Sequence, residues 1–352
     1  AEALIRDAEA VGDLELAGRA MITLGVLLRD ADRIADSVAM LDRAHHRGRE
    51  LRSPTITAIA LAERVVGEVD ASDSRAATTL AALARDVADD ADTPPAARVR
   101  VHRAVSRALL ARADYARAAE VSARGIALIE SAHLRMANTE ILLRMDHTDA
   151  LLRLPGRGDD ALAFARAMVD RAAELLGPRA FNTGITWSQL ATAHTRVGQA
   201  AAALPLRERA LAILLENRAP DHSAVLNERA EIASTLRRLG RAEEAHRQLA
   251  EVVARTEHHT GAVRRAHAGY LEMLGRTSYA LGHYAEGIAE CQRALELATS
   301  DHGATHPDVL GSQFLIADLQ IDAGLLDDAE RTIGALERAR AAHGGAPDPR
   351  QL

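Results

Sequence analysis

The chain has 352 residues, of which 48% are hydrophobic, 26% charged and only 2% aromatic. Its 43 basic residues are all arginine, and its 50 acidic residues leave a net charge of −7, which argues against a general nucleic-acid binder. Without lysine, the chain cannot supply a P-loop lysine, a Schiff-base lysine or the ATP-anchoring lysine of a protein kinase. A single cysteine, Cys291, excludes a disulfide framework and a cysteine-based zinc site.

Targeting signals and membrane spans are not recognisable in the sequence. No run of about 18 apolar residues occurs, so no membrane-spanning segment is predicted. The amphipathic, acidic N-terminus AEALIRDAEA is unlike a signal peptide. Because the sequence begins without Met, we expect a segment of a longer protein, located in the cytoplasm.

A 42-residue repeat is marked by one glycine per period. The equally spaced glycines are Gly156, Gly198, Gly240, Gly282 and Gly324. Five residues after each glycine stands a small residue, namely Ala161, Ala203, Ala245, Gly287 and Ala329, and the slot continues upstream as Ala118, Ala77 and Ser37. Apolar residues recur at helical spacing on both sides of the glycine, which permits a left-handed turn. The pattern predicts helix–turn–helix hairpins that stack on one another to bury their apolar faces.

In chain order, the predicted elements fall into three parts. Residues 1–17 are predicted to be the second helix of a truncated preceding repeat. Residues 18–345 are predicted to form about eight hairpins, with the strongest repeat pattern over 182–340. The pattern is weak over 53–97, where Val65 and Ser72 replace the small residue and the turn residue. Residues 346–352 are predicted to be a flexible tail.

The repeat resembles a known family. The segment WSQLATAH from Trp187, followed by Gly198, Ala203 and Ala210, resembles the tetratricopeptide repeat (TPR), with His194 in the usual Tyr position. GHYAEGIAECQRALEL and DYARAAEVSARGIAL are similar to the same motif, and the long period with its RAPDHS and GATHPDV linkers resembles the kinesin-light-chain variant. The Ala- and Arg-rich composition also resembles the C-terminal TPR regions of bacterial, notably myxobacterial, Ser/Thr protein kinases. The resemblance implies an all-α, right-handed solenoid whose first helices line a concave face.

Catalytic chemistry is not apparent. The sequence contains no HExxH, GxSxG, Gly-rich phosphate loop, HRD or DFG, so we predict a non-catalytic protein without a cofactor. The 15 histidines raise a metal hypothesis, since a histidine pair four residues apart on a helix can bind zinc. However, Gly303 and Pro307 indicate that His302 and His306 lie in a loop. We therefore interpret the histidines as surface residues and predict no metal site; a metal-dependent hydrolase is the remote alternative.

The stripe that would face the concave groove is rich in arginine in the middle of the chain. The candidate groove residues are Arg100, Arg103, Arg107, Arg153, Arg196, Asn227, Ser234, Arg237, Arg238, Arg276 and Tyr279. Arginine forks bind carboxylates and phosphates bidentately, so this stripe predicts an acidic peptide, a C-terminal carboxylate or a phosphopeptide as ligand. The main predicted contacts are Arg103, Arg107, Arg196, Arg237 and Arg276. In the alternative interpretation, these arginines pair with acidic residues of neighbouring helices.

Two functional hypotheses remain open. In the first, the chain is a scaffold that binds a separate protein or peptide partner in its groove. In the second, it is a regulatory or sensor segment that acts on an upstream kinase or ATPase domain of the same polypeptide. Neither a nucleic acid nor a membrane is a predicted partner, and both a monomer and a dimer are compatible with the sequence.

Overall fold

The computed structural model describes residues 2–31, 33–70, 74–257 and 261–342. Within these ranges the chain forms 17 α-helices and no strand, so the predicted all-α class is confirmed. The chain divides into two compact units, unit 1 (Ala1–Gly198) and unit 2 (Gln199–Leu352). The predicted tail, 346–352, and Ser72 lie outside the described residues.

Unit 1 is a stack of antiparallel hairpins. Its helices are α1 (Glu2–Ala10), α2 (Leu14–Asp30), α3 (Ile34–Glu50), α4 (Pro54–Asp70), α5 (Ser74–Ala88), α6 (Pro95–Ala111), α7 (Tyr115–Ser131), α8 (Ala137–Arg153), α9 (Gly158–Leu176) and α10 (Phe181–Arg196). Each helix packs against the next one along the chain, and each even-numbered helix from α2 to α8 also packs against the next even-numbered one. The even-numbered helices therefore form one layer of unit 1.

Unit 2 continues the alternation of first and second helices. Its helices are α11 (Ala200–Asn217), α12 (Ser223–Arg238), α13 (Ala242–Thr256), α14 (Gly261–Ala280), α15 (Tyr284–His302), α16 (Pro307–Asp322) and α17 (Leu326–Ala342). Successive helices pack together, and α12 also packs directly against α14. Helices α12 and α14 thus form the start of the corresponding layer in unit 2.

The five periodic glycines lie in the turns, as predicted. Their φ angles are +71° at Gly156, +82° at Gly198, +78° at Gly240, +86° at Gly282 and +75° at Gly324. This left-handed backbone strains residues that carry a Cβ and is open to glycine. Between α6 and α7 the same turn position is held by Ala113, with φ +58°. The conformation of the turn is therefore retained where the glycine is replaced.

The small residues allow the paired helices to approach closely. Ala161, Ala203 and Ala245 are fully buried. At Gly287, an added Cβ would lie only 2.6 Å from the backbone oxygen of Gly275, so these two helices touch backbone to backbone. Cys291 is buried beside this contact, and burial raises the pKa of its thiol to about 12. The cysteine is therefore an inert packing residue at neutral pH.

Two boundary predictions need correction. Helix α1 ends at Ala10, and α2 begins at Leu14, where the Asp13 side chain accepts a hydrogen bond from the Leu16 backbone N–H at 3.0 Å. The four residues from Leu14 to Ala17 thus start the first hairpin, because Asp13 is an effective N-cap. His302 is the last residue of α15 rather than a loop residue.

Not all histidines are surface residues. His194 and His267 are buried in the structure, and His267 faces the Thr256 hydroxyl at 2.6 Å.

In the described part of the chain, no helix is both long and apolar enough to cross a membrane. The cytoplasmic location stays a prediction.

Candidate functional site

Two of the predicted groove arginines in unit 1 are neutralised by carboxylates of α4. The Arg100 guanidinium lies 3.4 Å from Glu63, which also pairs with Arg29 at 3.0 Å. Arg107 lies 3.6 Å from Asp70. Arg100 and Arg107 therefore behave as the alternative interpretation proposes, in ion pairs between adjacent first helices.

Arg103 on α6 is half-buried, and the charges of Asp146 on α8 and Glu63 on α4 act on its guanidinium. Burial lowers the pKa of Arg103 and raises that of Asp146 to about 7, although Arg107 and Arg103 oppose the change at Asp146. Among the described residues, neither Arg103 Nε nor Asp146 Oδ2 has a hydrogen-bond partner. Because burial favours the neutral form of Asp146, this carboxyl group does not fully neutralise Arg103.

Arg153 and Arg196 are separate from the α6 arginines. Arg153 lies 3.7 Å from Asp149 on its own helix, and its guanidinium carbon is 5.7 Å from the centroid of the Tyr115 ring. Arg196 is exposed in the last turn of α10. No contact within the described ranges joins either residue to Arg100, Arg103 or Arg107. That the five unit 1 candidates share one groove therefore stays a prediction.

In unit 2, three arginines form a positive patch on α12 and α14. Arg237 is half-buried, and burial together with the charges of Arg238 and Arg276 lowers its pKa. Within the described part of unit 2, no carboxylate forms an ion pair with Arg237. Arg276 pairs with Glu272 at 3.1 Å, and Glu272 also accepts a hydrogen bond from Ser312 at 3.0 Å. We call Arg237, Arg238 and Arg276 the arginine patch.

The other predicted unit 2 residues lie on the same pair of helices. Asn227 on α12 is exposed and accepts a hydrogen bond from the Tyr270 hydroxyl of α14 at 2.5 Å. Ser234 is half-buried, one helical turn before the patch. Tyr279 packs on the Tyr284 ring with centroids 4.8 Å apart, and burial together with Asp322 and Asp318 raises its pKa. The surroundings of Tyr279 are thus acidic rather than basic.

A buried ion-pair network in unit 2 was not predicted. Arg207 on α11 is 1% exposed, lies 3.4 Å from the buried Glu228 and 2.9 Å from Glu231, and donates a hydrogen bond to the Thr235 hydroxyl at 3.1 Å. Its burial could have been predicted from its position in the sequence. Arg207 stands four residues after Ala203 and three before Ala210, on the helix face that packs inward.

Comparison with known proteins identifies the class of fold. The tetratricopeptide repeat family matches residues 182–258. NprR in complex with its cognate peptide NprX is 11% identical at a TM-score of 0.61, covering 93% of this chain and 88% of that one. A STAND signal-transduction ATPase with a TPR sensor from Pyrococcus horikoshii is 12% identical at a TM-score of 0.60, covering 92% of this chain and 47% of that one. TPR-like repeats of a Podosopora anserina kinesin light chain are 20% identical at a TM-score of 0.48, covering 58% and 96%.

The fold is therefore that of the TPR solenoids, and residues 182–258 are tetratricopeptide repeats. No curated protein matches the sequence. The family prediction is confirmed, whereas the resemblance to kinase-associated repeat regions stays a prediction.

Proposed function

We propose that the chain is a non-catalytic interaction module that binds an acidic peptide segment of a partner protein at the arginine patch of unit 2. The observation that carries this proposal is Arg237: a half-buried guanidinium whose charged neighbours are Arg238 and Arg276. A partly buried cation surrounded by like charge is costly, and an incoming carboxylate or phosphate relieves that cost.

The surroundings of the patch supply the remaining features that a peptide needs. Asn227 and Ser234 offer amide and hydroxyl groups on α12, from which an extended backbone can take hydrogen bonds. The chain has a net charge of −7, and the arginine patch is a local positive region that disfavours basic segments at this site. The likeness to NprR, a protein solved with a peptide bound, supports a peptide as the class of ligand.

The unit 1 arginines are proposed to have a mainly structural role. Arg100 and Arg107 already pair with Glu63 and Asp70, and a ligand carboxylate would have to displace those partners. Of the arginines predicted from sequence as ligand contacts, we therefore retain Arg237 as the principal one, and Arg276, which pairs with Glu272 at 3.1 Å, as its charged neighbour.

The test is a binding titration with a fluorescein-labelled hexaglutamate peptide, measured by fluorescence anisotropy on the full chain. Arg237→Glu should weaken binding at least tenfold, since a hydrogen-bonded charge contact contributes about 1.5–3 kcal/mol. The matched control is Arg247→Glu, the same charge change at an exposed residue of α13. Equal affinities for the two variants, or equal binding of a hexalysine peptide, would contradict the proposal.

A regulatory role within one polypeptide is the second candidate. The likeness to a STAND ATPase in which the TPR segment is a sensor favours it, and such a role would use the same patch to hold an acidic segment of an adjoining domain. A chain extended to include that domain would then bind the labelled hexaglutamate more weakly than residues 1–352 alone.

A further inference from the structure

Three side chains on the second helices of unit 2 come together at a second place. His246 on α13 and Glu286 and Glu290 on α15 each offer one ligand atom, and these atoms lie within 4.8 Å of one another. Glu286 and Glu290 stand four residues apart, on one face of α15. His246 is 40 residues earlier in the chain, so the cluster exists only in the folded unit.

One nitrogen of the imidazole in this cluster has no hydrogen-bond partner among the described residues. His246 Nε2 is buried and has no hydrogen-bond partner among the described residues, which is costly for a buried polar atom. The ring of His283 lies nearly perpendicular to that of His246, with centroids 6.5 Å apart, and His283 Nδ1 is 3.6 Å from Glu286. A second imidazole thus lies beside the cluster but outside its set of three ligand atoms.

The two carboxylates also differ from the other acidic residues nearby. Glu244, Glu251, Glu257 and Glu272 of unit 2 each pair with an arginine. Within the described part of the chain, no arginine pairs with Glu286 or Glu290. Glu290 accepts a hydrogen bond from the Ser278 hydroxyl at 2.7 Å, which orients its carboxylate. Two adjacent carboxylates without an arginine form a local negative site beside a free imidazole nitrogen.

We propose that His246, Glu286 and Glu290 bind a divalent transition-metal ion of the zinc class as its three protein ligands. Imidazole and carboxylate together are ligands that Zn²⁺ accepts in tetrahedral sites, and the imidazole disfavours Mg²⁺ and Ca²⁺, which prefer oxygen ligands. Ser278 would then hold a ligating carboxylate in place, as outer hydrogen bonds commonly do in metal sites.

The consequence of binding would be a clamp between successive hairpins. Helix α13 is the second helix of one hairpin and α15 the second helix of the next. The metal would bind to the folded unit and not to the dispersed ligands of the unfolded chain, so it would stabilise unit 2. This role is independent of the arginine patch, which lies on α12 and α14.

The experiment is isothermal titration of the EDTA-treated full chain with ZnCl₂, alongside thermal unfolding with and without the ion. We expect one Zn²⁺-binding site that requires His246, Glu286 and Glu290. Zn²⁺ should raise the unfolding temperature, and MgCl₂ should leave it unchanged. His246→Gln and Glu290→Gln should each weaken Zn²⁺ binding at least tenfold. Glutamine keeps the size of glutamate and an oxygen acceptor for Ser278, so Glu290→Gln should fold normally, which circular dichroism will show.

Matched controls separate this site from the other histidines and carboxylates. His46→Gln changes an exposed histidine of α3, and Glu296→Gln changes an exposed carboxylate of α15; both should bind Zn²⁺ like the original chain. Failure of the original chain to bind Zn²⁺ would overturn the proposal. Equal Zn²⁺ binding in the double variant His246→Gln/Glu290→Gln would do so as well, because the ion would then be bound elsewhere.

Discussion

The buried Arg207 network makes a quantitative prediction about unit 2. Arg207 is 1% exposed and Glu228 is 3% exposed, so Arg207→Met removes a cation that pairs with a buried carboxylate. Loss of one partner of a buried ion pair costs about 3–5 kcal/mol. The contact with Glu231 adds little to this cost, since Glu231 is 51% exposed and exposed pairs contribute about 0–1 kcal/mol.

A second variant separates the buried charge from lost packing. In Arg207→Met/Glu228→Gln the buried negative charge is also removed, so the double variant should be more stable than Arg207→Met alone. Because repeat arrays need not unfold in one step, the measurement is hydrogen exchange at amides of α11 and α12, with urea unfolding as a global check. Equal protection in the single and double variants, or a loss below about 1 kcal/mol, would refute the argument.

Two further predictions concern unit 1 and the turns. Burial raises the pKa of Asp146 from 3.8 to about 7, so between these pH values the folded state retains a proton that the unfolded state has lost. Stability should therefore fall as the pH rises through this range, by up to about 1.4 kcal/mol per pH unit, and Asp146→Asn should flatten the dependence in urea titrations. Ala113 has φ +58° and Gly240 has φ +78°. Ala113→Gly should therefore raise the free energy of unfolding and Gly240→Ala should lower it, each by about 1 kcal/mol. The thermal midpoint should shift in the same direction as the stability in each variant. A pH profile unchanged by Asp146→Asn, or two turn variants that shift stability in the same direction, would contradict these expectations.

The turns and close contacts were predictable because they depend on local residue types. A turn with positive φ favours glycine and accepts other residues only with strain. The regular spacing from Gly156 to Gly324 therefore predicts the turns from the sequence alone. The repeat position occupied by Ala203 and Ala245 was predictable in the same way, since only small residues fit where two helices touch.

The charge pairing was not predictable to the same degree. The pair of Arg100 with Glu63 joins residues 37 positions apart, and helical periodicity places each residue on a face without fixing which side chain opposes it. Arg207 was missed because arginine is ordinarily exposed, although its neighbours on the same face are buried alanines. His246 and Glu290 carry no local motif that links them, so their proximity emerges only from the packing of α13 and α15.

We propose that unit 2 selects negatively charged peptides through its arginine patch. The most direct measurement is a selection from a displayed random-peptide library on the full chain, carried out in parallel on the Arg237→Glu and Arg247→Glu variants. We expect strong enrichment of Asp and Glu with the original chain and with Arg247→Glu, and loss of that enrichment with Arg237→Glu. Enrichment of apolar or basic peptides, or an acidic preference that survives in Arg237→Glu, would contradict it.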